Sequence, residues 1–327
     1  METKLPADSR NPAPFHRGEI DAQERAGVRE QMARVGAVVI RDYMPEQHRE
    51  FFPLLPTLLA GGIDRHGEVW ASILCGEPGF VSSPDNRTLR IAALPAAQDP
   101  LAPAMQPGQR LGLLGLQFET RRRNRANGIV SELDERGFTL AVQQSFGNCP
   151  KYIQTREIAD ARFAAAGEEV LAGDGALPQE AVALIRRSDT FFIATASNAA
   201  SGAADDSAYG ADVSHRGGRP GFVAVDADGS LCWPDFIGNN FFNTIGNLVA
   251  DGRAGLLFID FEQGDILQMS GRGTVEWAGE RLRQFAGAQR LLRFEAGRWL
   301  LRKAAFPLRW ALQEQSPHLE RTGAWNQ

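Results

Sequence analysis

The chain has 327 residues, 43% of them hydrophobic, and a formal net charge of -5. That length is enough for two cores, and a mildly acidic balance argues against nucleic acid as the main partner, because backbone-phosphate binding shows as a basic excess. No apolar run approaches the ~20 residues that span a bilayer. Residues 1–14 lack the apolar core of a signal peptide, and Cys75, Cys149 and Cys232 form neither a zinc spacing nor a disulfide framework. The expectation is therefore a cytoplasmic protein with buried thiols and no membrane or nucleic-acid partner.

Residues 1–18 read as an extended arm. Sparse apolar positions at Ile20, Ala26, Val28, Met32 and Val35 predict an exposed amphipathic helix over 19–35, ended by Gly36. A second helix is predicted over 45–55, with Pro45 in its first turn. From residue 70 the texture changes to short apolar runs, at 70–75, 80–83, 89–93, 111–118 and 138–144, separated by glycine, proline and Asp-Asn turns. Residues 157–187 return to helical texture around Gly173–Gly175. Short strands resume at 191–196 and continue to 275. The arginine-rich tail over 281–312 is read as helical, followed by an irregular end. Trp310 and Trp325 are open between core and interface.

The two β-rich stretches resemble one another. Pro78-Gly79-Phe80-Val81 reappears as Pro220-Gly221-Phe222-Val223, and Gly112-Leu113-Leu114 as Gly255-Leu256-Leu257. Gly128 and Gly271 follow at equal distances, and Ser72 and Ser214 precede their Pro-Gly pairs by the same interval. Shared order and spacing favour an internal repeat over coincidence. Each copy is a strand, tight turn, strand, crossover and buried strand, a set that a closed six-stranded sheet would leave without edges.

Only the second copy carries Ser214-His215-Arg216-Gly217-Gly218, a turn in which accessible backbone N–H groups and a guanidinium suit a phosphate. It is followed by Gly238-Asn239-Asn240-Phe241-Phe242-Asn243, where a helix is expected to begin near Asn239 or Asn240 with an anion-friendly N-terminus. Ordinary turn-and-cap roles for these asparagines remain open. His215 is balanced between a solvated loop histidine and a ligand contact, whereas the permanent charge of Arg216 favours phosphate. In the first copy, alternation along a strand would put Arg121, Arg123 and Arg125 on one face, toward a phosphate or carboxylate, with Arg122 and Asn124 on the other. A solvated edge strand is the alternative. Cys149 reads as a pocket wall, and Lys151 weakly as ligand-facing. The scattered histidines form no catalytic or metal-ligand cluster.

On the Asp-x-Ser-x-Arg-Gly-Gly-x-Pro-Gly-Phe turn from Asp212, the Pro-Asp-x-x-Gly-Asn-Asn stretch from Pro234, and Arg253-Ala254-Gly255-Leu256-Leu257-Phe258, the second half resembles the pyridoxamine-phosphate-oxidase-like FMN-binding split-barrel proteins. The segments 121–128 and 145–154 are similar to a subgroup whose relatives can be fused to reductase modules. The resemblance implies a mainly β, α+β fold of two tandem split barrels. Its parts would be an N-terminal arm and helices (1–56), a degenerate first barrel (57–156), a helical linker (157–187), a second barrel with the cofactor loop (188–280) and a C-terminal helix and tail (281–327). It implies FMN as cofactor, held by Ser214, His215, Arg216, Asn239, Asn240 and Asn243 of the second copy with Arg121, Arg123, Arg125, Asn148 and Lys151 of the first. FAD is not expected, since no Gly-x-Gly-x-x-Gly fingerprint is present. Val223 and Asp226 stand where the oxidases carry arginine and lysine, so flavin binding is implied rather than pyridoxamine phosphate oxidation.

The function expected is an FMN-dependent oxidoreductase or flavin reductase, acting on a small molecule or NAD(P)H, with a reductase as the candidate protein partner. A non-catalytic flavin- or haem-binding electron-transfer protein is the alternative. The flavin site would lie within one chain, as a pseudo-dimer with one FMN per chain, or between chains of a homodimer.

Overall fold

A computed structural model describes residues 14–161, 169–197 and 207–325. Most of the arm expected over 1–18 lies outside these residues. Where it becomes described, Phe15 and His16 are buried, and His16 caps a helix rather than extending an arm.

The single N-terminal helix expected over 19–35 is two, α1 (Arg17–Arg25) and α2 (Arg29–Val39), split at Gly27, whose φ of 70° a helix cannot hold. The helix expected over 45–55 is one turn, α3 (Glu46–Arg49), and a 3-10 turn at Phe52–Leu54. Pro53 has no N–H to continue an α-helix. Seven strands follow: β1 (Thr57–Ile63), β2 (Val69–Cys75), β3 (Val81–Asp85), β4 (Thr88–Ile91), β5 (Arg110–Gln117), β6 (Arg122–Asp134) and β7 (Gly137–Gly147). They form one antiparallel sheet in the order β2-β1-β5-β6-β7-β4-β3.

The linker expected to be helical instead contains β8 (Thr155–Ala161) and β9 (Val170–Asp174) before α4 (Gln179–Arg187). The second sheet then comprises β10 (Thr190–Ser197), β11 (Gly210–Gly217), β12 (Ala224–Val225), β13 (Leu231–Phe236), β14 (Arg253–Ile259), β15 (Ile266–Glu276) and, beyond α6 (Glu280–Gln284), β16 (Ala288–Arg302). Helix α5 (Asn243–Ala250) lies between β13 and β14. The path is β11-β10-β14-β15-β16-β13-β12, with β9 added against β16. Strand for strand this is the order of the first sheet. Neither path closes on itself among the described residues. The final strand, β17 (Leu308–Glu314), pairs with β8.

The tail over 281–312 is therefore not helical beyond one short turn. Its leucines and arginines favour a helix in isolation, but β16 fills the gap between β15 and β13, and the buried Leu291, Leu292 and Phe294 seal that position. Sheet pairing and burial override local propensity there.

Among the described residues, three large cores are joined by two smaller clusters, around Phe15, Met32 and Phe241 and around Ala22, Phe242 and Ile245. One face of the first sheet packs around Phe51, Phe52 and Leu55, which come from the short helical segment before β1. One face of the second packs around Ala181, Leu184 and Ile185 of α4, immediately before β10. A third core, with Leu59, Val69, Leu114, Phe192, Val213 and Leu257, joins the two sheets. That junction is close because glycines stand at it. A Cβ on Gly112 would lie 2.4 Å from the Ala211 carbonyl oxygen, and one on Gly255 would lie 2.5 Å from that of Val69. Among the described residues, no helix is long and apolar enough to cross a membrane.

Candidate functional site

A cleft with about 880 Å³ of space, its open mouth included, lies where the two sheets meet on the α5 side. The second sheet contributes Ser214, His215 and Arg216 from β11, Asp235 and Phe236 from β13, the loop with Asn239 and Asn240, and Asn243 at the start of α5. The first contributes Arg123 and Arg125 from β6, then Asn148, Cys149, Lys151 and Tyr152 after β7. Ten of the eleven residues singled out in the sequence line this one cleft. Arg121 does not. It precedes β6 in a left-handed conformation (φ 57°), donates to the Ile153 carbonyl at 2.9 Å and pairs with Glu314 at 2.7 Å. The alternation expected from 121 thus begins one residue later, with Arg122 lying over the Phe51 ring and Asn124 buried, so the segment is not a solvated edge strand.

Arg125, 2% exposed, crosses from the first sheet to the second. It pairs with Asp212 at 2.6 Å, donates to the Val213 carbonyl at 2.9 Å and to Ser214 Oγ at 2.6 Å, and leaves Nε buried without a partner. Arg123 Nε donates to the Cys149 carbonyl at 2.7 Å. Burial pushes the Arg123 pKa down to about 10, with Arg125 and Arg216 adding to that and Cys149 opposing it. Arg216 is ion-paired with Asp235, which also lies 3.5 Å from Arg290 of β16. The Arg290 guanidinium sits 4.7 Å from the Phe242 ring centroid. The Nε atoms of both Arg216 and Arg290, and Asn148 Nδ2, are buried and unpartnered. Around the cleft five cationic side chains, those of Arg123, Arg125, Lys151, Arg216 and Arg290, face one lining carboxylate, that of Asp235.

His215 is 5% exposed, its Nε2 unpartnered and its ring edge-on to Phe192. Burial, and then Arg123, Arg156 and Arg216, hold its pKa well below the usual value, so it is neutral. It is not the solvated histidine weighed above.

The helix expected at Asn239 or Asn240 starts later, at Asn243. Asn239 accepts from the Phe241 N–H at 3.2 Å, and Asn240 (φ 61°) and Phe242 (φ 64°) are left-handed. Such alternation turns successive N–H groups toward one side, and the first-turn amides of α5 have no intrahelical acceptor. Asn243 itself donates to the buried Glu19 of α1. Burial, then Asp212, raises the Glu19 carboxyl well above the usual carboxylate range. Across the cleft Tyr152 (φ 64°) packs against Phe236 with ring centroids 4.9 Å apart, and Ile237 beside them is 52% exposed.

Sequence reasoning missed Arg290, Asp235, Tyr152 and Glu19. Arg290 belongs to the segment read as helix, and Glu19 is distant in sequence. Asp235 and Tyr152 stood inside quoted motifs and needed only their cross-cleft partners. Val223 is buried in the second core, and Asp226 is ion-paired with Arg281, so neither reaches the cleft.

No family model matches the chain, and no curated protein matches it. Among solved structures it is similar to a substituted form of HupZ from Group A Streptococcus. The identity is 14% over 38% of this chain and 98% of that one, with a TM-score of 0.29. A second HupZ structure aligns at 15% identity over 37% and 89% of the two chains, with a TM-score of 0.28. The MrkH–c-di-GMP complex of K. pneumonia aligns at 9% identity over 79% and 86%, with a TM-score of 0.22.

Proposed function

We propose that the cleft binds FMN and that the chain is an FMN-binding oxidoreductase or flavin reductase built as two tandem split barrels in one chain. The observation that supports this best is the set of buried, unpartnered donors, Arg125 Nε, Arg216 Nε, Arg290 Nε and Asn148 Nδ2, around a cleft with five cations and one carboxylate. Buried donors without acceptors are costly unless a ligand supplies the acceptors. An acceptor-rich anion with a flat apolar body suits both the donors and the Tyr152–Phe236 wall.

Arg216, Arg290 and the first-turn amides of α5 would hold the phosphate, and Tyr152, Phe236 and Ile237 would cover apolar parts of the ring system. When bound, the flavin supplies the hydride and electron chemistry. The chain's own residues bind and orient it, and neutral His215 withholds a charge from the cleft floor. Both halves furnish the cleft, which favours an intramolecular site with one FMN per chain over one between two chains.

The visible spectrum of the purified protein, with mass spectrometry of whatever denaturation releases, tests the reading. FMN is expected; FAD, or no affinity for added FMN, overturns it. Bleaching by NAD(P)H would separate an oxidoreductase from a passive carrier.

A further inference from the structure

The matched strand orders give the cleft a counterpart on the opposite side of the sheet junction. Ala194 lies opposite both Val213 and Gly255, as Gly61 lies opposite Ala71 and Gly112. One residue along, Ser214 therefore corresponds to Ser72. Gly112 faces Asn127 and Gly255 faces Ser270, so Arg125 corresponds to Gln268. Across the next strand Arg125 faces Phe146 and Gln268 faces Leu300, so Asn148 corresponds to Arg302. The contacts obey the same correspondence. Arg125 Nη2 donates to the Val213 carbonyl at 2.9 Å, and Gln268 Nε2 donates to the Ala71 carbonyl at 2.9 Å.

What differs is what sits on these groups. In the cleft, Arg125 Nε and Asn148 Nδ2 are buried without partners beside Ser214. At the counterpart the position is filled by a side chain of the protein. Asp99, 1% exposed and carried by the segment after β4, accepts from Ser72 Oγ at 2.5 Å and from Gln268 Nε2 at 2.9 Å. Its Oδ2 also lies 3.7 Å from Arg302 Nη2. Its other oxygen accepts from the Leu101 N–H at 2.9 Å, which fixes the carboxylate in place. The one carboxylate lining the cleft, Asp235, is engaged instead by Arg216 and Arg290.

We propose that Asp99 is a built-in ligand. Its carboxylate closes the counterpart of the cleft, and its Oδ2 marks where an anionic oxygen of a bound molecule sits in the open cleft, against Ser214, Arg125 and Asn148. Truncating Asp99 then creates a second site, selective for a small carboxylate. The assignment of a seat in the cleft rests on the cleft being a ligand site; the closure by Asp99 does not.

The closure is tested in the full chain by thermal melting of Asp99→Ala in sodium acetate against sodium chloride at matched ionic strength. Asp99→Ala should melt below the wild type and recover with acetate in a saturable way, as a folded-state ligand requires. The wild type and Asp99→Asn, which still fills the space, should show no acetate-specific rise. An Asp99→Ala protein that responds to acetate no more than to chloride overturns the closure. If that variant is recovered only as aggregate, refolding with and without acetate gives the same comparison: acetate-dependent recovery supports the proposal and acetate-independent failure overturns it. The seat is tested by FMN titration of Asn148→Ala and Ser214→Ala, each expected to bind about tenfold more weakly. Unchanged affinity removes the seat. A wild type that binds no FMN fails the function proposed above, while the acetate comparison still decides the closure.

Discussion

Replacing Arg216 by alanine probes the electrostatic reading most directly. The side chain offers an unpartnered Nε and a guanidinium already held by Asp235. Losing a charge-assisted contact to an anion costs about 1.5–3 kcal/mol, or roughly ten- to hundredfold in affinity. The substitution also leaves Asp235 with only Arg290, at 3.5 Å, so more of its negative charge faces the ligand and the loss should fall toward the upper end of that range. His215→Ala removes a neutral, buried ring and no charge, so its effect on affinity should be several-fold smaller. Fluorescence-quenching titration of FMN into both apo-variants measures the difference, with circular dichroism establishing that each is folded. Equal affinities for Arg216→Ala and the wild type would refute the phosphate role of Arg216 and the donor argument on which the cleft assignment stands.

His48 predicts a pH dependence of stability. Burial first, then Arg122 and Arg41, lower its pKa from 6.5 to about 4, while its Nδ1 lies 2.8 Å from Ser145 Oγ. The unfolded chain takes up a proton below pH 6.5 and the native state does not, so stability falls as the pH drops through that value and levels off near pH 4. At pH 5 the loss is about 2 kcal/mol, and His48→Gln should remove that part of the difference between urea midpoints at pH 7 and pH 5. Gly112→Ala would press a methyl against the Ala211 carbonyl, and a destabilisation of about 1–3 kcal/mol is expected from denaturant unfolding; a neutral effect would mean that the sheets do not approach so closely. A fragment of residues 169–327 lacks Arg123, Arg125, Asn148 and Lys151 and exposes the shared core. It should neither bind FMN nor stay monomeric, and a fragment that binds as well as the full chain would exclude an intramolecular cleft.

The sequence by itself determined much of the cleft's second-copy wall. The loop at 238–242 is local, and its residue types state their backbone requirements wherever the chain takes them. Residues 214–217, expected as a phosphate-binding turn, are instead the end of β11, where pairing with β10 engages the backbone and leaves the side chains to face the cleft. The two Gly-Leu-Leu segments fall in β5 and β14, which hold the same place in the two strand orders, but each path has seven strands and neither closes, unlike the closed six-stranded sheet expected of each copy. The sequence did not determine the tail. Leu291, Leu292 and the arginines around them suit a helix in isolation, and only the vacancy between β15 and β13 makes them a strand and delivers Arg290 to Asp235. Nor could it separate Arg121 from Arg123 and Arg125. The three look equivalent along a strand, but the backbone turns left-handed at 121 and sends that side chain to Glu314. The pairing of Arg125 with Asp212 across 87 residues, and of Gln268 with Asp99 across 169, arises where the two sheets meet. Which donors of the cleft lack a protein acceptor is decided by contacts between segments remote in sequence, and local chemistry carries no information about them.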